Sequence, residues 1–166
     1  MIGRTLLLLA ASSTLAACNL RPLYGNGAGG GVAVALAGVA VAPIDGQAGW
    51  LVRTAVEDRL PKPGAATLYR LEITLDDRIE GFGVRGDNAV TRERRTLRAR
   101  YRLVDAAAGT VLLDQTAGSD AGIDVVGSQY ATVAAEQTAL ERLATELADQ
   151  IVTRVALFAS RGGANR

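Results

Sequence analysis

Arginine is the chemically capable residue that this sequence concentrates. Arg92, Arg94, Arg95, Arg98, Arg100 and Arg102 follow one another closely, with Arg85 just upstream and only Asp87 and Glu93 among them. A spacing of two puts Arg92, Arg94, Arg98, Arg100 and Arg102 on one face of an extended strand, because side chains alternate across a sheet. The planar guanidinium fork fits a phosphate or a carboxylate. A row of like charges repels itself, so it needs something anionic nearby. Two suppliers are compatible with the pattern. Glu72, Asp76 and Asp114 have the parity or position to pair across neighbouring strands, or an external anion binds the row, in which case binding weakens with salt. Basic residues are almost all arginine, Lys62 being the single lysine, and a solvated, internally paired face that binds nothing is the plainer alternative.

Other chemistries find little material. Among 166 residues there is no histidine and one cysteine. This excludes Ser-His-Asp and Cys-His pairs, imidazole metal ligands, an internal disulfide and a thiolate zinc site. Asp76 and Asp77 point to opposite faces of a strand, and Glu141 and Glu146 lie on a solvated helix side, whereas glycosidase-type catalysis needs two carboxyls converging on a cleft. Ser119, Ser128 and Ser160 lack a basic partner. The expectation is therefore a protein that is not an enzyme, with no catalytic residues, no metal site and no cofactor. Eighteen basic side chains against 17 acidic ones also argue against nucleic acid as a partner.

The cysteine is the second chemical feature. Arg4 precedes the apolar run Leu6–Leu9, and Leu15-Ala16-Ala17 ends in small residues before Cys18. This pattern is a secretory leader, too short to span a bilayer. Leu-Ala-Ala-Cys also resembles the bacterial lipobox, which makes Cys18 the expected lipidation site; an ordinary leader with a chance cysteine at the cut is the alternative. Each acyl methylene buried in a bilayer contributes about 0.8 kcal/mol, and two chains suffice for stable attachment. By resemblance to bacterial lipoprotein sorting rules, the absence of an aspartate at Asn19 implies delivery to the outer membrane. The expected organisation is a leader over 1–17, a lipidated, glycine-rich flexible tether over 18–31, a folded domain over 32–160 and a disordered tail over 161–166. Removing the leader removes Arg4 and leaves a formally neutral chain.

The elements that would position the arginine row follow from periodicity. A strand is expected within 32–44, most clearly over Val39–Ile44, and Asp45 can cap a following helix. Trp50, Leu51, Ala55, Val56 and Leu60 recur at helical spacing, and Pro61 and Pro63 stop that helix. Tyr69, Leu71, Ile73 and Leu75 alternate with polar residues, as do Leu97, Ala99, Tyr101 and Leu103, and a loop from Gly81 to Asn88 joins them into a hairpin. A further strand runs from Thr110 to about Asp124, broken late by Gly118 and Gly122. Ser128 then caps a long helix whose buried side carries Val133, Leu140, Leu143, Leu147, Ile151, Val155 and Phe158, reaching about Ala159. The expected fold is α+β, in the order β-α-β-β-β-α, with two helices packed on one face of a four-stranded sheet.

Together, Cys18-Asn19-Leu20-Arg21-Pro22-Leu23-Tyr24-Gly25, Gly49 to Leu60, Tyr69-Arg70-Leu71, Thr91-Arg92, Ala99-Arg100-Tyr101-Arg102-Leu103 and Tyr130-Ala131 resemble the LPS-assembly lipoprotein family LptE. The glycine-rich tether and the 81–88 loop depart from it. The resemblance implies a non-enzymatic outer-membrane lipoprotein, lipid-anchored on the periplasmic side or seated within the lumen of the LptD β-barrel. As plug and assembly partner of that barrel, it would serve lipopolysaccharide transport to the outer leaflet. Arg92, Arg94, Arg98, Arg100 and Arg102 are then the candidate contacts to lipopolysaccharide or to acidic groups of the barrel. An auxiliary lipoprotein of another envelope lipid-transport or secretion complex is the alternative.

Overall fold

Alternation of apolar and charged residues builds three long strands, and a helical apolar stripe covers them. The computed structural model describes residues 30–62, 66–84 and 90–163. In chain order these form α1 (Gly31–Ala37), β1 (Val39–Val41), α2 (Gly46–Glu57), β2 (Tyr69–Val84), β3 (Val90–Asp105), β4 (Val111–Asp124) and α3 (Gln129–Gly163). The sheet order is β1-β2-β3-β4, with β1 parallel to β2 and the other neighbours antiparallel. Parallel strands cannot be joined by a tight turn, and α2 provides the crossover between β1 and β2.

The expected parity holds along the hairpin. Leu71 lies opposite Leu103, Ile73 opposite Tyr101 and Leu75 opposite Ala99. Leu71, Leu97, Tyr101 and Leu103 are fully buried against Leu140, Leu143, Leu147, Ile151 and Val155 of α3. Each such side chain removed from water stabilises the fold by roughly 1.5–3 kcal/mol. Alanines fill the seam where α3 crosses β4: Ala117 and Ala121 from the strand, Ala144 and Ala148 from the helix. The β3–β4 turn is closed by the Asp105 carboxylate, which accepts the N–H groups of Ala107 and Ala108.

Four details differ from the sequence expectation. Residues 31–37 form a helix instead of strand, so the element order gains α1 at its start. Alanine and leucine favour helix, and a short apolar run fits either period; Ala33 and Leu36, three apart, are the buried pair. The buried side of α2 is turned by one residue, toward Gly49, Val52 and Val56, leaving Trp50 64% exposed. A Cβ on Gly49 would lie 2.6 Å from the Ile44 carbonyl oxygen, so glycine there lets α2 approach the segment that leads into it. β2 continues through Gly81 and Gly83, and β4 passes Gly118 and Gly122 without interruption. Finally, α3 runs to Gly163, and Val133 near its start is exposed while Thr132 turns inward. The expected leader, Cys18 and nearly all of the tether lie outside the described residues, as do residues 85–89 of the expected loop and the end of the tail.

Candidate functional site

Even-numbered residues of β3 from Arg92 to Arg102 project from the sheet face opposite the helices. Arg92, Arg94, Arg98, Arg100 and Arg102 are all exposed there, as their spacing implied. Carboxylates from β2 and β4 flank the row on both sides. Arg102 donates from Nη2 to Glu72 Oε2 at 2.8 Å, and Arg70 holds the other Glu72 oxygen at 2.9 Å. Arg100 grips Asp114 with both prongs, Nε to Oδ1 at 3.0 Å and Nη2 to Oδ2 at 2.7 Å. The hydrogen bond from Arg100 holds the Asp114 carboxyl below its ordinary range, with the neighbouring Arg102 charge adding to the effect. The same pairing raises the already high Arg100 value. Arg92 reaches Asp124 at 3.2 Å.

Two arginines of the row are engaged differently. Arg94 lies over the Phe82 ring, 5.3 Å from its centroid, a cation–π arrangement. Arg98 has Asp76 as its cross-strand neighbour, but Asp76 accepts from Arg78 at 2.9 Å. No ion pair to Arg98 occurs among the described residues. Its stem lies across Gly118, where an added Cβ would meet Arg98 Cγ at 3.2 Å and Nη1 at 3.3 Å. The glycine thus makes space for a guanidinium that spans β4.

Beyond Gly118, α3 contributes two side chains that the sequence pattern did not single out. Gln150 binds both backbone groups of Gly118, and Arg154 donates to the Thr116 carbonyl at 2.7 Å. Arg98, Arg100, Arg154, Asp76 and Gln150 line an open depression of about 550 Å³ over Gly118. It is a shallow cationic surface in which two guanidiniums, those of Arg98 and Arg154, have no carboxylate partner among the described residues. Helical spacing gives Arg154 as a polar residue on α3; its arrival beside Arg98 depends on where the helix crosses the β4 edge, which no local pattern encodes.

Arg95 has the opposite parity and faces the helix layer. It donates to Asp77 at 2.9 and 2.6 Å and to the Glu136 carbonyl at 3.0 Å, with only 12% of its side chain exposed. This fork ties the outer half of the hairpin to the first turns of α3, so Arg95 is a tether within the fold and no part of the open row. Asp76 and Asp77 point to opposite faces, as their adjacency requires. Among the described residues no cluster of metal-ligating side chains occurs, and no helix is long and apolar enough to cross a membrane.

Comparison with known proteins places this architecture. Residues 36–155 match the family model described as "LptE: Lipopolysaccharide-assembly". A lipoprotein structure from Caulobacter crescentus is similar at 27% identity with a TM-score of 0.67, covering 80% of this chain and 98% of that one. Lipoprotein B from Nitrosomonas europaea (16% identity, TM-score 0.57, covering 77% and 86%) shares the fold. So does a minor lipoprotein from Acinetobacter baumannii (10%, 0.54, covering 72% and 91%). Comparison with curated proteins finds no match. The family match takes in the whole sheet, α2 and most of α3, and on that ground this chain belongs to the LptE lipopolysaccharide-assembly family.

Proposed function

We propose that this protein is a lipid-anchored outer-membrane lipoprotein that plugs and helps to assemble an LptD-type β-barrel, and that it contributes to delivering lipopolysaccharide to the outer leaflet. The observation that carries this proposal is the family match across residues 36–155. Acylation at Cys18, after removal of 1–17, would fix the chain to the bilayer, and 18–31 would give the domain reach. Its action is through contact. The arginine row would meet lipid phosphates or acidic groups of the barrel, with Arg98 leading because, among the described residues, it is engaged neither by a carboxylate nor, as Arg94 is, by an aromatic ring, and with Arg92, Arg94, Arg100 and Arg102 supporting.

The test is purification of the native lipoprotein in mild detergent. A large outer-membrane β-barrel is expected to accompany it, and depletion of the lipoprotein is expected to leave that barrel misassembled. Repeated recovery of the protein with an inner-membrane or periplasmic complex, and no barrel, would assign it to other envelope machinery instead.

A further inference from the structure

The two long edges of the sheet are treated differently. On the β4 edge, the Gln150 carboxamide accepts the Gly118 N–H at 3.4 Å and donates to the Gly118 carbonyl at 3.2 Å, while Arg154 takes the Thr116 carbonyl. Side chains of α3 therefore occupy backbone groups that an incoming strand would need. Among the described residues, β2 has no such cover beyond its first residues. β1 pairs only with Tyr69–Leu71. Bonds from Tyr69 N to the Gly38 carbonyl, and from Ala42 N to the Leu71 carbonyl, show that odd-numbered residues of β2 aim their backbone groups to that side. Pairing with β3 is uninterrupted from Tyr69 to Phe82. Ile73, Leu75, Asp77, Ile79 and Gly81 therefore present their N–H and C=O groups the same way. Among the described residues no other backbone group bonds to them. Ile79 and Phe82 lie along this stretch at 41% and 39% exposure. An open edge with exposed apolar side chains is a template for another strand.

We propose that a second copy of this chain occupies that edge, antiparallel, about a two-fold axis beside Ile79. Charge complementarity selects both the occupant and the register. With Ile79 opposite its counterpart, Arg78 of each copy faces Glu80 of the other, Asp77 faces Gly81 and Asp76 faces Phe82, so no like charges meet. Moving the axis to Asp77 would oppose two carboxylates. Moving it to Leu75 would bring the added strand against β1 after a shorter overlap. The result is a continuous sheet β4-β3-β2-β2-β3-β4, with the helices of both copies on one side and the two arginine rows on the other. Such an isologous contact closes on itself and leaves no further long edge uncapped at Gly118. The association describes the lipoprotein apart from any barrel and does not rest on the proposed function.

The test uses the full processed lipoprotein, produced without a barrel partner, in mild detergent. Residues directly opposite in a hydrogen-bonded antiparallel pair have Cα atoms about 5.5 Å apart, within disulfide range. Ile79→Cys is therefore expected to give, on mild oxidation, a disulfide-linked species of twice the mass. Leu157→Cys, on the exposed side of α3, should not, and it controls for any link through Cys18. Ile79→Pro removes an outward N–H without touching the β2–β3 ladder, so self-association measured by sedimentation should weaken at least tenfold at unchanged circular dichroism. Ile79→Lys provides the same comparison if the proline variant loses ellipticity. Equal dimer from the two cysteine variants, a cross-link to a polypeptide of another mass, or unaltered association in a folded edge variant would each overturn the proposal.

Discussion

Arg98 and Arg100 sit two residues apart on the same strand face, yet their charges are available to different degrees. Arg100 is bound to Asp114 by two hydrogen bonds, whereas Arg98 rests its stem on Gly118 with no carboxylate in contact. Arg98→Ser is therefore expected to weaken lipopolysaccharide binding several-fold at low salt, and Gly118→Val to do nearly the same by displacing the Arg98 stem. Asp114→Asn should strengthen binding, because it releases Arg100. Titrating purified lipopolysaccharide at two salt concentrations checks all three, and a response that ignores salt would remove the row from the binding surface. Acid should reproduce the effect of Asp114→Asn only at low pH. The Asp114 carboxyl is held below its ordinary value of about 3.9 by the hydrogen bond from Arg100, so the pair persists above that value and is lost as pH falls through the lowered one. Tyr101 behaves in the opposite sense. Burial pushes its phenol up, with Arg154 pulling the other way, and its hydroxyl makes no hydrogen bond of good geometry among the described residues. The neutral form favoured in the fold is at no disadvantage below about pH 10, and stability falls as pH rises beyond that. Tyr101→Phe should leave stability at neutral pH unchanged or raise it by about 1 kcal/mol, and should flatten the alkaline decline seen in denaturant titrations.

α3 is the element on which the others depend, because it supplies the apolar ridge for β3 and β4 and the side chains that close the β4 edge. Leu147 lies at its centre and is fully buried. Leu147→Asp places an unpaired charge in the core, at about 3–5 kcal/mol, a large share of the roughly 5–15 kcal/mol that holds a domain together. The expected outcome is loss of the cooperative melting transition at ambient temperature. This element and the three long strands were legible in the sequence because each repeats its period many times: Leu140, Leu143, Leu147, Ile151 and Val155 on the helix, Leu97, Ala99, Tyr101 and Leu103 on β3. Residues 31–37 were not legible, since Val-Ala-Val-Ala-Leu-Ala satisfies a strand and a helix equally and only packing of Leu36 into the core decides. Trp50 was misjudged because size suggests burial, while the contact that orients α2 is made by Gly49, which has no side chain to advertise it. On the outer face, the arginine parity was plain and so were Glu72 and Asp114 as partners. That Asp76 would go to Arg78 and leave Arg98 without a partner was not, because two arginines of equal parity compete for it and local sequence carries no rank between them.

At the scale of the whole molecule, the outer sheet face alternates arginines with Glu72, Asp76, Asp114 and Asp124. Opposite charges neutralise one another within a few ångströms there, so the face projects little long-range field, and a screened surface does not by itself hold a protein at an anionic bilayer. No described helix can cross the membrane. In the proposed lipid-anchored reading, attachment would come from Cys18 in the chain ahead of the domain. Replacing the leader by an ordinary cleavable secretory leader, together with Cys18→Ser, should release the protein into the aqueous phase on detergent phase separation, whereas the native form should enter the detergent phase. The melting temperature of the released form should match that of the anchored form to within the error of the measurement, because the core among the described residues is built by α1, α2, α3 and the sheet. Partition of the Cys18→Ser protein into detergent would mean that the domain itself carries membrane affinity. The exposed side chains of Trp50, Tyr130 and Val133 would then be the first to replace by serine, since they are the largest apolar groups left uncovered on α2 and at the start of α3.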